Sequence, residues 1–195
     1  MSREGRARQP GRGRGVRITG GECRGRTVKV PADTRPTEGR VREALFSMWG
    51  DRVVGARFLD LFAGSGVVAL EAASRGALVV VAAEKAARSV HLLEQNVRRL
   101  GLAGVVEVRR SELPGDLGRL AEAGPFDLVF ADPPYRHPDY GALLAAVEPA
   151  LAAGGEVVVE HSTRRELPAV AGALVRVDAR RYGESGLAFY RRGPA

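Results

Sequence analysis

The sequence predicts an α/β domain: a doubly wound, mostly parallel seven-stranded sheet that ends in an antiparallel hairpin, with a small β-hairpin ahead of it. Three observations carry this. Runs such as "LVVVAA" (78–83) and "DLVFA" (127–131) are continuously apolar instead of alternating, as strands covered by helices on both faces must be. From Arg57 onward such runs alternate with segments of helical period, the pattern of a doubly wound sheet. The closing stretch "ALVRVDARRYGESGLAFYRR" (173–192) breaks the alternation, since two strand-like runs flank "YGESG" with no room for a helix.

Taken in order, the chain opens with a basic arm over residues 1–15. "SREGRARQPGRGRG" has almost no apolar side chains to offset its ordering entropy and is expected to be disordered. Up to residue 17, six arginines (Arg3, Arg6, Arg8, Arg12, Arg14 and Arg17) face one acid, Glu4, so most of the net charge of +7 sits at this end. A phosphate backbone is the partner such charge suits. "VRITGG" and "GRTVKV" then form a short hairpin within an extension over residues 16–36. Arg14, Arg17, Arg24, Arg26, Lys29 and Arg35 make the arm and hairpin one candidate nucleic-acid-facing surface.

The main domain is expected over 37–195. Thr37 caps a helix whose Val41, Ala44, Leu45 and Met48 fall on one face, with Arg40, Arg42 and Glu43 on the other. Strands follow near 57–62, 78–84, 105–109, 126–131 and 155–160, with helices near 66–75, 86–100, 115–123 and 139–152 between them. In the second of those helices Val90, Leu93, Val97 and Leu100 form the inward stripe, and Gly101 ends it. One cysteine, Cys23, excludes a disulfide framework and a cysteine zinc cluster and fits a reducing cytoplasm. No apolar run is long enough for a membrane span, and the arginine-rich start lacks the apolar core of a signal peptide.

Two corners carry chemistry. In "FLDLFAGSGVVALEAASRG" a strand enters a glycine turn and then a helix. Gly64 and Gly66 let backbone turn sharply and approach a ligand, and the helix N-terminus offers N–H groups. The spacing also fits a dinucleotide fingerprint, with Glu84 at the next strand end to accept ribose hydroxyls. Asp60 favours S-adenosylmethionine instead: an acid inside the strand end suits the ligand's ammonium and repels a pyrophosphate. Ser111, just past the third strand, falls where the adenine amino group is expected.

The other corner is "LVFADPPYRH" (128–137). Ligands in open α/β sheets lie beyond the carboxyl ends of strands near the switch in strand order, where Asp132 is expected. The prolines fix φ and hold the peptide carbonyls of the turn, so Asp132 and a neighbouring carbonyl form two rigid acceptors with Tyr135 as a flat surface beside them. Such a pair suits an exocyclic amine on a stacked, flipped-out base: it orients the hydrogens and frees the nitrogen lone pair to attack a sulfonium methyl.

With these motifs in place the sequence resembles, over about residues 16–191, the RsmD-type bacterial methyltransferases, class I enzymes with a Rossmann-like fold that modify the exocyclic N2 of a guanine in 16S ribosomal RNA. The resemblance rests on "RITGGECRGRTVKVP", "TRPTEGRVREALF", "LDLFAGSGVVALEAASRGA", "FADPPY" and "RRYGESGLAFYRR". It implies that Asp60, Phe62, Gly64 and Gly66 line an S-adenosylmethionine pocket, that Glu84 takes the ribose, and that Asp132, Pro133 and Tyr135 handle the guanine. It also implies that "RPT" at 35–37, with Thr37 at the cofactor, lies near the active site, and that the N-terminal hairpin meets 16S rRNA in the small subunit or its assembly intermediate. No metal or membrane is implied. Residue chemistry alone reaches the amine of a planar base and leaves open a DNA adenine-N6 methyltransferase, a non-catalytic RNA-binding assembly module and a nicotinamide oxidoreductase.

Overall fold

The computed structural model describes residues 15–31, 38–134 and 137–194. Strands β1 (Gly15–Arg17) and β2 (Thr27–Lys29) pair antiparallel, and the Ile18 amide donates to the Arg26 carbonyl to close the loop between them. This hairpin has no core of its own. Its Ile18, Cys23, Val28 and Val30 are buried in the same apolar cluster as Leu70, Leu93 and Val97 of the main domain, so burial of those four side chains docks it.

Helix α1 (Glu38–Trp49) buries Val41, Leu45, Phe46 and Trp49, whereas Met48, expected inward, is exposed. The aromatic residues decide the rotation: Phe46 and Trp49 pack on each other and on Phe58 with ring centroids 5.5–6.4 Å apart. The same rotation corrects the expected exposure of Arg42. It is buried, because the Glu71 carboxylate lies 3.4 Å from its Nε and the Arg17 carbonyl accepts from its Nη2 at 2.9 Å.

From there the chain alternates: β3 (Arg57–Leu61), α2 (Val67–Ser74), β4 (Val79–Glu84), α3 (Ala87–Leu100), β5 (Val106–Arg110), α4 (Leu117–Ala121), β6 (Phe126–Ala131), α5 (Tyr140–Val147) and β7 (Leu151–Ser162). The end consists of β8 (Val170–Ala171), β9 (Leu174–Tyr182) and β10 (Ser185–Arg192). The sheet order is β5-β4-β3-β6-β7-β10-β9-β8; β3 to β7 run parallel, while β10 is antiparallel to both β7 and β9. These are the seven expected strands plus the two-residue β8 at one edge. The strand order reverses between β3 and β6, which opens the crevice at their carboxyl ends.

Side chains alternate across the sheet. Phe58, Leu128 and Val158 belong to the core under α1 to α3 and the N-terminal hairpin, and Leu59, Val129 and Val157 to the core under α4 and α5. The last crossover differs from expectation. Asp139 caps α5 by accepting the Ala142 amide at 2.9 Å, but the α-helix stops at Val147 and a 3₁₀ turn, Glu148–Ala150, leads directly into a twelve-residue β7. Pro149 is the cause, because it has no N–H with which to continue an α-helix.

Candidate active site

The alternation of β3 sends Asp60 to the face of α2 while Leu59 and Leu61 enter the opposite core. Asp60 is buried, and one carboxylate oxygen accepts the Ala69 amide in the first turn of α2 at 2.9 Å. Burial pushes its carboxyl up to about 8; the Ala69 hydrogen bond opposes the rise and the nearby Glu84 charge adds to it. A cation brought against this group restores its ionised form.

The glycine bend between β3 and α2 is held from below. Glu84, ending β4, accepts the Gly64 amide with Oε2 at 2.9 Å and the Ala86 amide with Oε1 at 2.8 Å. Gly64 has φ +55°, and a Cβ built there meets nothing within 4 Å, so its backbone faces open space. Gly66 is different. Its φ is +81°, and a Cβ would stand 1.9 Å from Leu93 Cδ1, so a glycine is needed here for the turn and for packing α2 on α3. Phe62, the residue after β3, sits at φ +65°, a costly conformation for an aromatic.

At the neighbouring corner the Asp132 amide donates to the Leu61 carbonyl at 3.3 Å, which ties the end of β6 to the end of β3. The turn after Asp132 is anchored by His137. Its amide donates to the Pro134 carbonyl at 2.7 Å, its carbonyl accepts from Arg165, and its buried ring packs edge-on between Phe62 and Tyr140. The strand thus ends at Ala131, with Asp132 at the cleft and Pro134 tied to His137.

Both corners open into one cleft of about 220 Å³, lined by Asp60, Phe62, Gly64 and Asp132 among the predicted residues, and by Arg42, Phe130, Pro31 and Glu160 besides. Pro133 is buried, whereas Asp132 before it is exposed. Glu84 and Ser111 do not line it. Glu84 sits beneath the glycine bend, while Ser111 is buried and donates its amide to the Glu84 carbonyl at 3.0 Å. Thr37, Tyr135, Arg14 and Arg35 lie outside the described residues.

Of the candidate RNA-facing residues, Arg17, Arg24 and Lys29 are exposed on the N-terminal hairpin, whose continuation, Pro31, reaches the rim of the cleft. Arg26 is exposed as well and has a structural role besides. Its guanidinium donates to the Leu100 carbonyl at 2.8 Å and to the Arg99 carbonyl, so it caps the C-terminus of α3, where a cation also meets the negative end of the helix dipole. Glu160, Arg42 and His137 are among the lining or supporting residues that sequence reasoning missed. For Glu160 the signal was present: "EVVVEH" is an apolar run ending in an acid, like "LVFAD" and "VVVAAE".

The lining fits S-adenosylmethionine. Acids converge on the cleft, one of them buried and raised, beside a glycine backbone facing open space; that donor set suits a ligand carrying an ammonium and a sulfonium and disfavours a pyrophosphate. This sheet order with an acid-lined crevice at its switch point defines a class I, S-adenosylmethionine-dependent methyltransferase. The chain belongs to the RsmD-type family, matching over residues 16–191 the family described as "Conserved hypothetical protein 95". It is 35% identical to YlbH of Bacillus subtilis (strain 168), named as a candidate rRNA methyltransferase, over 91% of this chain and 99% of that one. It is 41% identical to ribosomal RNA small subunit methyltransferase D of Escherichia coli (strain K12), an alignment spanning 62% of this chain and 61% of that relative. Among solved structures, the Escherichia coli protein yhhF, described as a candidate methyltransferase, superposes with a TM-score of 0.79 at 33% identity, covering 93% of this chain and 99% of that one.

Proposed function

We propose that the chain methylates the exocyclic N2 amine of a guanine in 16S ribosomal RNA, acting in the cytoplasm on the small ribosomal subunit or an assembly intermediate. One observation carries the reading: the acid ending β6 and the glycine bend following β3 share a cleft, with the Asp132 amide on the Leu61 carbonyl. The names of the Bacillus subtilis and Escherichia coli relatives support ribosomal RNA, and small-subunit RNA in the second case. The bound cofactor supplies an electrophilic methyl group on a sulfonium.

The chain's residues do the rest. Asp60 holds the ligand's ammonium, and Glu84 uses its remaining lone pairs for the ribose hydroxyls while still fixing Gly64. Ser111, Phe62 and Thr37 complete the cofactor side. Asp132 and the Pro133 carbonyl accept the two amine hydrogens, turning the nitrogen lone pair toward the methyl; the Pro134 carbonyl is already engaged by His137. Tyr135 stacks on the base, and Arg17, Arg24 and Lys29, with Arg14 and Arg35, meet phosphates. Incubation with labelled cofactor and either small subunits or duplex DNA tests this. Label in 16S RNA, recovered on digestion as N2-methylguanosine, is expected; label in DNA, or on adenine, overturns the reading.

The Asp60 carboxyl predicts a pH dependence. It must lose its proton before it can pair with an ammonium, so affinity for S-adenosylhomocysteine should rise with pH by up to about tenfold per unit until the group's value near 8 is reached. Calorimetry in buffers of different ionisation enthalpy should record proton release on binding. In Asp60→Asn both the slope and the released proton should vanish; a slope that persists assigns the titration to another group.

A further inference from the structure

We propose that Glu160 reads the base: its carboxylate accepts the N1–H of the target guanine while Asp132 and Pro133 hold the N2 amine. This rests on the guanine reading above and adds to it the group that selects guanine over other amino-bearing bases.

The placement follows from the sheet. Ala131 of β6 pairs with Val159 of β7, so Asp132 and Glu160, one residue further along parallel strands, stand side by side at about the 5 Å interstrand spacing. Both lie on the face of Val158 and Leu128, since Val159 and Ala131 enter the core under α4 and α5. Glu160 is half-buried and lines the same cleft as Asp60 and Asp132. The glycine bend and the ribose acid sit on β3 and β4, which assigns the cofactor to that side of Asp132. The acceptor base must then enter from the other side, over β6 and β7, where Glu160 stands.

The chemistry selects the base. Guanine carries N1–H and N2–H donors next to each other on one edge, and two adjacent carboxylates match two adjacent donors. Adenine and 2-aminopurine present a lone pair at N1, which a carboxylate rejects. A site built around a buried or half-buried acceptor discriminates strongly against analogues lacking the matching hydrogen. The carboxylate takes no part in the transfer, so its effect is on base choice.

The test uses small subunits reconstituted with the target guanine or with 2-aminopurine, which keeps the 2-amino group and lacks N1–H. Single-turnover rates for the wild type should favour guanine by about a hundredfold. In Glu160→Leu the guanine rate should fall until the two substrates lie within about threefold, with S-adenosylhomocysteine affinity unchanged. Glu160→Gln, which keeps a neutral acceptor, should retain about a tenfold preference and provides the measurement should the leucine variant fold poorly. An undiminished preference in both variants, or a loss that tracks weakened S-adenosylhomocysteine binding, overturns the assignment. A wild type that leaves guanine unmethylated and labels another base instead shows that the guanine reading itself has failed.

Discussion

Asp132→Ala is expected to lower single-turnover methylation roughly a thousandfold while RNA retention on a filter changes by less than about threefold. An amine attached to an aromatic ring is a poor nucleophile because its lone pair is delocalised, and the two acceptors that restore it act where charge develops in the transition state. Losing one such preorganised partner removes about two to three orders of magnitude, and the lost orientation of the attacking nitrogen adds to that. Retention depends on phosphate contacts that Asp132 does not make. Its backbone amide, on the Leu61 carbonyl, survives the substitution, so the junction of β3 and β6 stays closed. A variant that methylates at the wild-type rate removes Asp132 from the chemistry. A variant that loses RNA in proportion to rate makes it a docking residue.

Parts of this site were legible in the sequence because they depend on chain neighbours. A strand, a glycine turn and a helix in succession must place Gly64 and the preceding Asp60 together, and an apolar run ending in "DPPY" must put its acid at a sheet end. Side-chain assignments that depend on the third dimension were less legible. That Gly66 also makes room for Leu93, 27 residues later, could not be read from the glycine spacing. Arg26 reads as a cation with solvent alone around it until the end of α3 arrives beneath it and its carbonyls accept from the guanidinium. Arg42 looked solvent-facing because the stripe of Val41, Ala44, Leu45 and Met48 was read as the buried one; Phe46 and Trp49, four and seven residues beyond Arg42, bring its own side of the helix inward, and Glu71 then receives the guanidinium. Helix α5 shows the same limit on a local scale, since its apolar pattern continues past Val147 and the backbone does not.

Glu71→Ala is expected to destabilise the fold by about 3–5 kcal/mol, although Glu71 touches neither corner of the cleft directly. Its carboxylate is fully buried on α2 and gathers donors from three separate segments. The Thr19 amide and hydroxyl lie at 2.9 and 2.7 Å, the Gly20 amide at 2.8 Å, Arg75 Nε at 2.8 Å and Arg42 Nε at 3.4 Å. Truncation leaves the buried Arg42 charge without its carboxylate and strips acceptors from the loop that follows β1, and removing one partner of a buried pair costs far more than the pair contributes. Against the 5–15 kcal/mol typical of a whole domain, the loss is a large share. For a chain of this length it corresponds to a melting point lower by about 6–20 °C. The exposed Arg164–Glu184 pair supplies the control, since Arg164→Ala should move the denaturation midpoint very little. Hydrogen exchange locates the damage: the Thr19 and Gly20 amides should lose protection in Glu71→Ala before the strands of the main sheet do. The N-terminal hairpin then loosens first, and because Arg42 lines the cleft and Pro31 borders it, RNA methylation should fall at temperatures where the sheet is still folded. A denaturation midpoint no lower than that of the Arg164 control would show that the buried carboxylate is dispensable, and that burial of Ile18, Cys23, Val28 and Val30 with the hydrogen bonds of Arg26 and Lys29 suffices to hold the hairpin.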